Sequence, residues 1–143
     1  MKTQKNIFLA LRLGMGFIFL WAFFDKLFGL GFATTGAKAW INGGSPTTGF
    51  LTNAVHGPFA SFFQSLAGIP VVDWLFMAGL LFTGVTLIAN RYLVWGVISG
   101  ASMLLLMYLA VLPPENNPII DDHIIYILVL GAIITYYKNT NRV

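Results

Sequence analysis

Four long apolar stretches, almost empty of charge, decide what this chain can fold into: Ile7 to Phe28, Val71 to Ala89, Tyr92 to Leu112 and Ile119 to Tyr137. Each comes close to the ~20 residues that a helix rising ~1.5 Å per residue needs to cross a hydrocarbon layer ~30 Å thick. Hydrophobic residues make up 57% of the 143 positions and charged residues only 9%, where soluble domains carry roughly 45–50% and about 25%. A water-soluble fold of this length has nowhere to bury so much apolar surface. Lipid is therefore the expected solvent, and in lipid a helix satisfies its own backbone. The expected fold is all-α: a single-domain integral membrane four-helix bundle spanning residues 1–143. Pro113-Pro114 stops the third stretch. Asn117 as N-cap and Pro118 at the first helical position open the fourth.

Lys2 and Lys5 precede the first stretch in the manner of a secretory signal. The apolar run that follows is longer than the roughly 7–15 residues of a signal peptide and lacks small-residue cleavage chemistry, so it reads as a retained helix. Basic residues then set the orientation. Lys2, Lys5, Arg12, Arg91, Lys138 and Arg142 fall on one side of an even number of spans, opposite a long first connection with only Lys26 and Lys38 and an acidic third one with Glu115, Asp121 and Asp122. The positive-inside rule places both termini in the cytoplasm. Trp74 and Tyr108 fit the outer interface, and Tyr92, Trp95, Tyr136 and Tyr137 the inner one.

The first extracytoplasmic connection, about residues 29 to 70, is long for a bundle and is expected to be structured, with short helices starting at Ser45-Pro46 and Gly57-Pro58. Phe59, Phe62, Phe63 and Leu66 recur at helical spacing, giving the second of these an apolar face. Gly96 and Gly100 form GxxxG, and Ala10 and Gly14 a small-xxx-small pair, either of which permits a close helix crossing.

The chain has no cysteine, which excludes dithiol chemistry, thiolate metal sites and iron–sulfur ligation. The net charge of +3 comes from scattered residues, without the basic stripe of a nucleic-acid binder. His56 and His123, one in a connection and one at a helix end, make no haem or metal site. Charged side chains at membrane depth are the natural candidates for function. Arg12 is either a cation reaching to inner head groups or an inward charge for a carboxylate or anionic ligand. At the outer end, Asp25 and Lys26 close the first helix while Asp121, Asp122 and His123 open the fourth. If these meet, they form a polar cluster fit for proton transfer, with His123 titrating near working pH and Asp122 sharing a helix face with Tyr126. Beside an apolar channel, such a cluster suits a quinone head group. The same residues serve equally as helix caps and boundary charges.

Two sets of segments carry a family resemblance. Leu11-Arg12-Leu13-Gly14 through Phe24-Asp25-Lys26-Leu27-Phe28-Gly29 resembles the first helix of the DoxX/DoxD family. Ala39-Trp40-Ile41-Asn42-Gly43-Gly44-Ser45-Pro46-Thr47 and Glu115-Asn116-Asn117-Pro118-Ile119-Ile120-Asp121-Asp122-His123 look like the branch described as the large subunit of thiosulfate:quinone oxidoreductase. The resemblance implies a multi-pass protein of a prokaryotic cell membrane, with quinone as cofactor and other membrane or extracytoplasmic subunits as partners. Arg12, Lys26 and Tyr126 are then candidates for holding quinone or an anion, and Asp121, Asp122 and His123 for catalysis. A non-catalytic accessory subunit of a larger respiratory or transport complex is the alternative. A transporter or channel fits less well, because the chain shows no inverted repeat.

Overall fold

The computed structural model describes residues 2–115 and 117–140; Asn116 and Arg142, named above, lie outside them. Its elements are α1 (Lys2–Phe28), two single 3-10 turns at Gly36–Lys38 and Trp40–Asn42, α2 (Thr48–Asn53), α3 (Ala60–Gln64), α4 (Pro70–Ala89), α5 (Leu93–Ala110) and α6 (Asp122–Asn139). Helices α1, α4 and α5 are long and apolar enough to cross a membrane. Large apolar side chains such as Phe17, Leu75 and Leu106 project from them unburied, as a lipid-facing surface requires. The fourth long helix, α6, matches α5 in length, but its polar ends, Asp122-His123 and Lys138-Asn139, leave a shorter apolar centre.

The four long helices close a ring: α1 packs on α4, α4 on α5, α5 on α6, and α6 returns to α1. Met15, Phe19, Met77, Leu87, Leu130 and Ile133 fill its middle. The crossing of α4 with α5 is close because Gly96 lies against the Thr86 side chain. A Cβ at Gly100 would stand 2.7 Å from Thr83 Cγ2. The GxxxG motif therefore marks a real contact. The other small pair does not: Ala10 and Gly14 both face outward, and a Cβ on Gly14 would meet nothing within 4 Å. Gly16, two residues on, is the position where α1 presses on Leu87 and Ile88 of α4.

The expected helix starts are corrected in three places. Asn117 does not cap α6; its side-chain oxygen accepts from Ile119 and Ile120 N–H at 2.8 Å, forming a local turn before the helix. The cap is Asp121, which accepts from the N–H groups of His123 and Ile124 at 3.0 and 3.3 Å. Ser45 does take the Thr48 N–H at 3.0 Å, as an N-cap should, but regular helix begins only at Thr48. Beyond Gly57-Pro58, α3 begins at Ala60, and its expected apolar face is split: Phe63 is buried whereas Phe59 and Phe62 are exposed.

Overfilling a packed helix contact costs about 1–3 kcal/mol. Gly96→Ile is accordingly expected to lower the thermal unfolding midpoint in detergent. Gly14→Ile, on an open face of α1, is expected to leave it nearly unchanged.

Candidate functional site

Charged and polar side chains buried among apolar helices take specific partners, and these partners separate the candidate residues into four places. Arg12 is buried on α1. Its Nε donates to Tyr137 Oη at 2.9 Å, and its guanidinium lies over the Tyr137 ring, 5.3 Å from the centroid. A terminal nitrogen donates to the carbonyls of Leu87 and Ile88, the latter at 3.0 Å. Those oxygens belong to the last turn of α4, where no further helical N–H arrives to meet them. Arg12 thus caps α4, placing positive charge at the negative end of its dipole and tying α1, α4 and α6 together.

Asp25, expected beside Lys26 in the outer cluster, turns back on its own chain. Its carboxylate accepts the N–H groups of Phe32 and Ala33 at 3.2 and 2.9 Å, holding the sharp turn that follows α1. Lys26 points another way, with Nζ 5.8 Å from the centroid of Phe76, within cation–π range.

Lys26 lines a cavity of about 360 Å³, in the size range of small-molecule sites. Its walls are Val72, Leu75 and Phe76 of α4 with Met103, Leu106 and Met107 of α5, and its roof is Phe50, Leu51, Phe63 and Leu66. Of the described residues that line it, only Lys26 is charged. Leu51, Phe63 and Ala110 are buried together and bind the roof to α5.

A residue passed over in the sequence secures that roof. Asp73, in the first turn of α4, is 8% exposed. Its Oδ1 accepts from Ser45 Oγ at 2.8 Å, Thr47 Oγ1 at 2.6 Å and Thr47 N–H at 3.2 Å. The cost of burying charge, which singles out Arg12 in the sequence, applies equally to a carboxylate three residues into an apolar span. The Ser45-Pro46-Thr47-Thr48 run supplies its donors.

The second recess, about 700 Å³, is polar and lies at the same end of the bundle, lined by His56, Glu115, Asp121, Asp122 and His123. Asp121 Oδ2 meets His123 Nδ1 at 2.6 Å while its other oxygen caps α6. Asp122 is exposed, and Tyr126 packs against the core. The expected single cluster is therefore divided: Asp121, Asp122 and His123 face the recess, Lys26 the apolar cavity, and Asp25 its own turn. Val111 borders the recess and Ala110 the cavity, so consecutive residues of one chain segment separate the two. Among the described residues no group of three His, Asp or Glu is placed to hold a metal ion.

His56 fastens the first connection to the α5–α6 connection. Its N–H donates to Ala110 O at 3.1 Å, and its ring nitrogens face two carbonyl oxygens, Nδ1 that of Ala54 and Nε2 that of Pro113, each at 3.0 Å. A neutral ring has one N–H to give; only the imidazolium donates to both. The Pro113 carbonyl first, then that of Ala54, raises the His56 pKa above its ordinary value against a lesser desolvation effect, with help from Glu115 and the Val111 backbone.

Compared with known proteins, the chain matches no family model, no curated sequence and no solved structure.

Removing Arg12 would leave the Leu87 and Ile88 carbonyls without their side-chain donor. Hydrogen bonds from charged donors contribute about 1.5–3 kcal/mol, so Arg12→Met is expected to destabilise the protein by about that amount in detergent unfolding, and Tyr137→Phe by about 1 kcal/mol or less. His56 follows proton linkage: because its folded pKa is raised, its contribution is fully present below its unfolded value of about 6.5 and is lost as pH rises through the folded value. The unfolding midpoint is expected to fall as the pH rises above about 6.5. His56→Gln should flatten that dependence in a thermal scan.

Proposed function

We propose that this chain is the membrane subunit of a quinone-linked redox system, similar in plan to the thiosulfate:quinone oxidoreductase large subunit that its sequence resembles. One observation carries the reading: an ammonium group, Lys26, set in an otherwise apolar cavity between helices that are apolar enough to cross a membrane. A prenylated quinone has the complementary chemistry. Its tail is apolar, and its carbonyl oxygens accept hydrogen bonds, which an ammonium donates without being able to accept. An ionisable residue at membrane depth is itself a mark of such sites.

In this reading Lys26 orients the head group and stabilises negative charge as the quinone takes up two electrons. Two protons complete the quinol; across the Ala110–Val111 segment, the recess holds the hydrogen-bonded Asp121 and His123 and the exposed Asp122, which would supply them. The chain has no cysteine, so covalent sulfur handling falls to a partner subunit. There two thiosulfate ions join through a sulfur–sulfur bond and release the two electrons. Arg12 and Tyr126, nominated from sequence as quinone or anion ligands, take packing roles, Arg12 at the end of α4 and Tyr126 on the core.

The proposal places α6 in the bilayer as a fourth span, both termini in the cytoplasm, and the chain in a prokaryotic cell membrane. Lys2, Lys5, Arg91 and Lys138 at the ends of the long helices support that orientation.

Purification in mild detergent followed by quinone extraction tests the reading. Bound quinone is expected in the parent protein, together with thiosulfate-dependent reduction in the presence of its partner. Lys26→Met should weaken quinone binding about tenfold or more, the effect of losing a charged hydrogen-bond donor in an apolar site. His123→Ala should slow reduction while quinone stays bound. A quinone-free protein that remains with a larger assembly and tolerates both substitutions would instead identify a non-catalytic accessory subunit.

A further inference from the structure

We infer that ligands reach the Lys26 cavity from the lipid, through the gap between α4 and α5, and that Asp73 is the positioning residue that keeps its water side shut. The inference rests on reading this cavity as the head-group site and adds the route by which the site is filled. A ligand entering this way is a membrane amphiphile with a hydrogen-bond-accepting head.

The lining of the cavity differs on its two sides. Between the helices it extends to Leu75 and Leu106, which are 69% and 53% exposed. Both belong to helices apolar enough to cross a membrane, so this opening faces lipid. Toward the connection the lining is closed by Leu51 and Phe63, at 5% and 7% exposure.

The closed side is tied down by a directed chain of hydrogen bonds. Gly68 N–H, at the end of the roof, donates to Thr48 Oγ1 at 3.0 Å. The Thr48 hydroxyl donates to Ser45 Oγ at 2.7 Å, and the Ser45 hydroxyl donates to Asp73 Oδ1 at 2.8 Å. Thr47, itself a lining residue, adds two more donors to the same oxygen. Each hydroxyl has one proton and spends it in the same direction, so the chain needs an acceptor at its end, and a carboxylate supplies one. Asp73 thereby joins the first and last residues of the roof to the rigid start of α4. Roof segments α2 and α3 are only 6 and 5 residues long, too short to hold their shape without such anchoring.

The chain has no cysteine, so one introduced thiol reports on the cavity without further engineering. Met107→Cys, in the cavity wall, is placed in the full-length protein in lipid nanodiscs, where both membrane faces are accessible. It is then treated with a lipid-soluble alkyl maleimide or a charged sulfonated maleimide. The lipid-soluble reagent is expected to label it and the charged one to spare it, while Asn53→Cys on the exposed side of α2 reacts with both. Adding Asp73→Leu is expected to raise the rate with the charged reagent about tenfold or more, the effect of losing hydrogen bonds to a charged acceptor. Leu75→Trp, which narrows the gap, should slow the lipid-soluble reagent. If Asp73→Leu does not fold, the Ser45→Ala/Thr47→Val pair breaks the same chain and leaves the carboxylate in place.

Charged labelling of Met107→Cys as fast as that of Asn53→Cys with Asp73 intact would overturn the inference. So would an unchanged charged rate after the chain is broken, or an alkyl rate indifferent to Leu75→Trp. These rates are read without quinone. A cavity that behaves as described but binds no quinone would leave the entry route standing and remove the proposed redox role. Quinone bound to a cavity open to water would do the reverse.

Discussion

Backbone groups that have no helical partner are tolerable in water and costly in an apolar medium, and the bundle is organised around one such place. The last turn of α4 presents the carbonyls of Leu87 and Ile88 to the interior, and Arg12 reaches across from α1 to meet them. The guanidinium also carries the Tyr137 hydroxyl and ring, which draws in α6. Gly16 lets α1 come close enough to Leu87 and Ile88 for the reach to succeed. A buried cation and a bare helix end would each be destabilising alone. Together they satisfy one another and fix three helices in register.

The opposite end of the bundle repeats this logic with the signs exchanged. Asp73, at the positive start of α4, collects hydroxyl and amide donors from the first connection, as Arg12 collects carbonyl acceptors at the finish. A single helix is thus secured at both termini by charges of opposite sign. Both candidate spaces, the Lys26 cavity and the polar recess, lie at the Asp73 end. The wall between them is a short stretch of backbone around Ala110 and Val111, pinned by the His56 N–H to Ala110 O bond.

The parts legible in the sequence were those governed by hydropathy over long windows. Helices α1, α4 and α5 fall within a few residues of the apolar stretches, because lipid leaves a helix little freedom to stop elsewhere. Helix α6 was placed by its apolar centre, but its start was misassigned. Asn117-Pro118 and Asp121-Asp122 are both acceptable cap sequences, and only the local turn at Asn117 decides between them. The candidate cluster was legible residue by residue and not as a site. Asp25 and Lys26 are neighbours in sequence yet lie about a hundred degrees apart around a helix, so one reaches the backbone of its own turn and the other the cavity. Asp73 escaped because its partners, Ser45 and Thr47, are ordinary turn residues whose role appears only when the connection folds back over α4.

The capping of α4 by Arg12 also bears on how the chain is made. Protein synthesis delivers α1 before α4 and α6: the carbonyls that Arg12 will bind lie 75 and 76 residues downstream and Tyr137 lies 125 downstream. Until α4 is made, the guanidinium lacks these carbonyl partners. Helix α1 is therefore made before the groups that fix its position against α4 and α6.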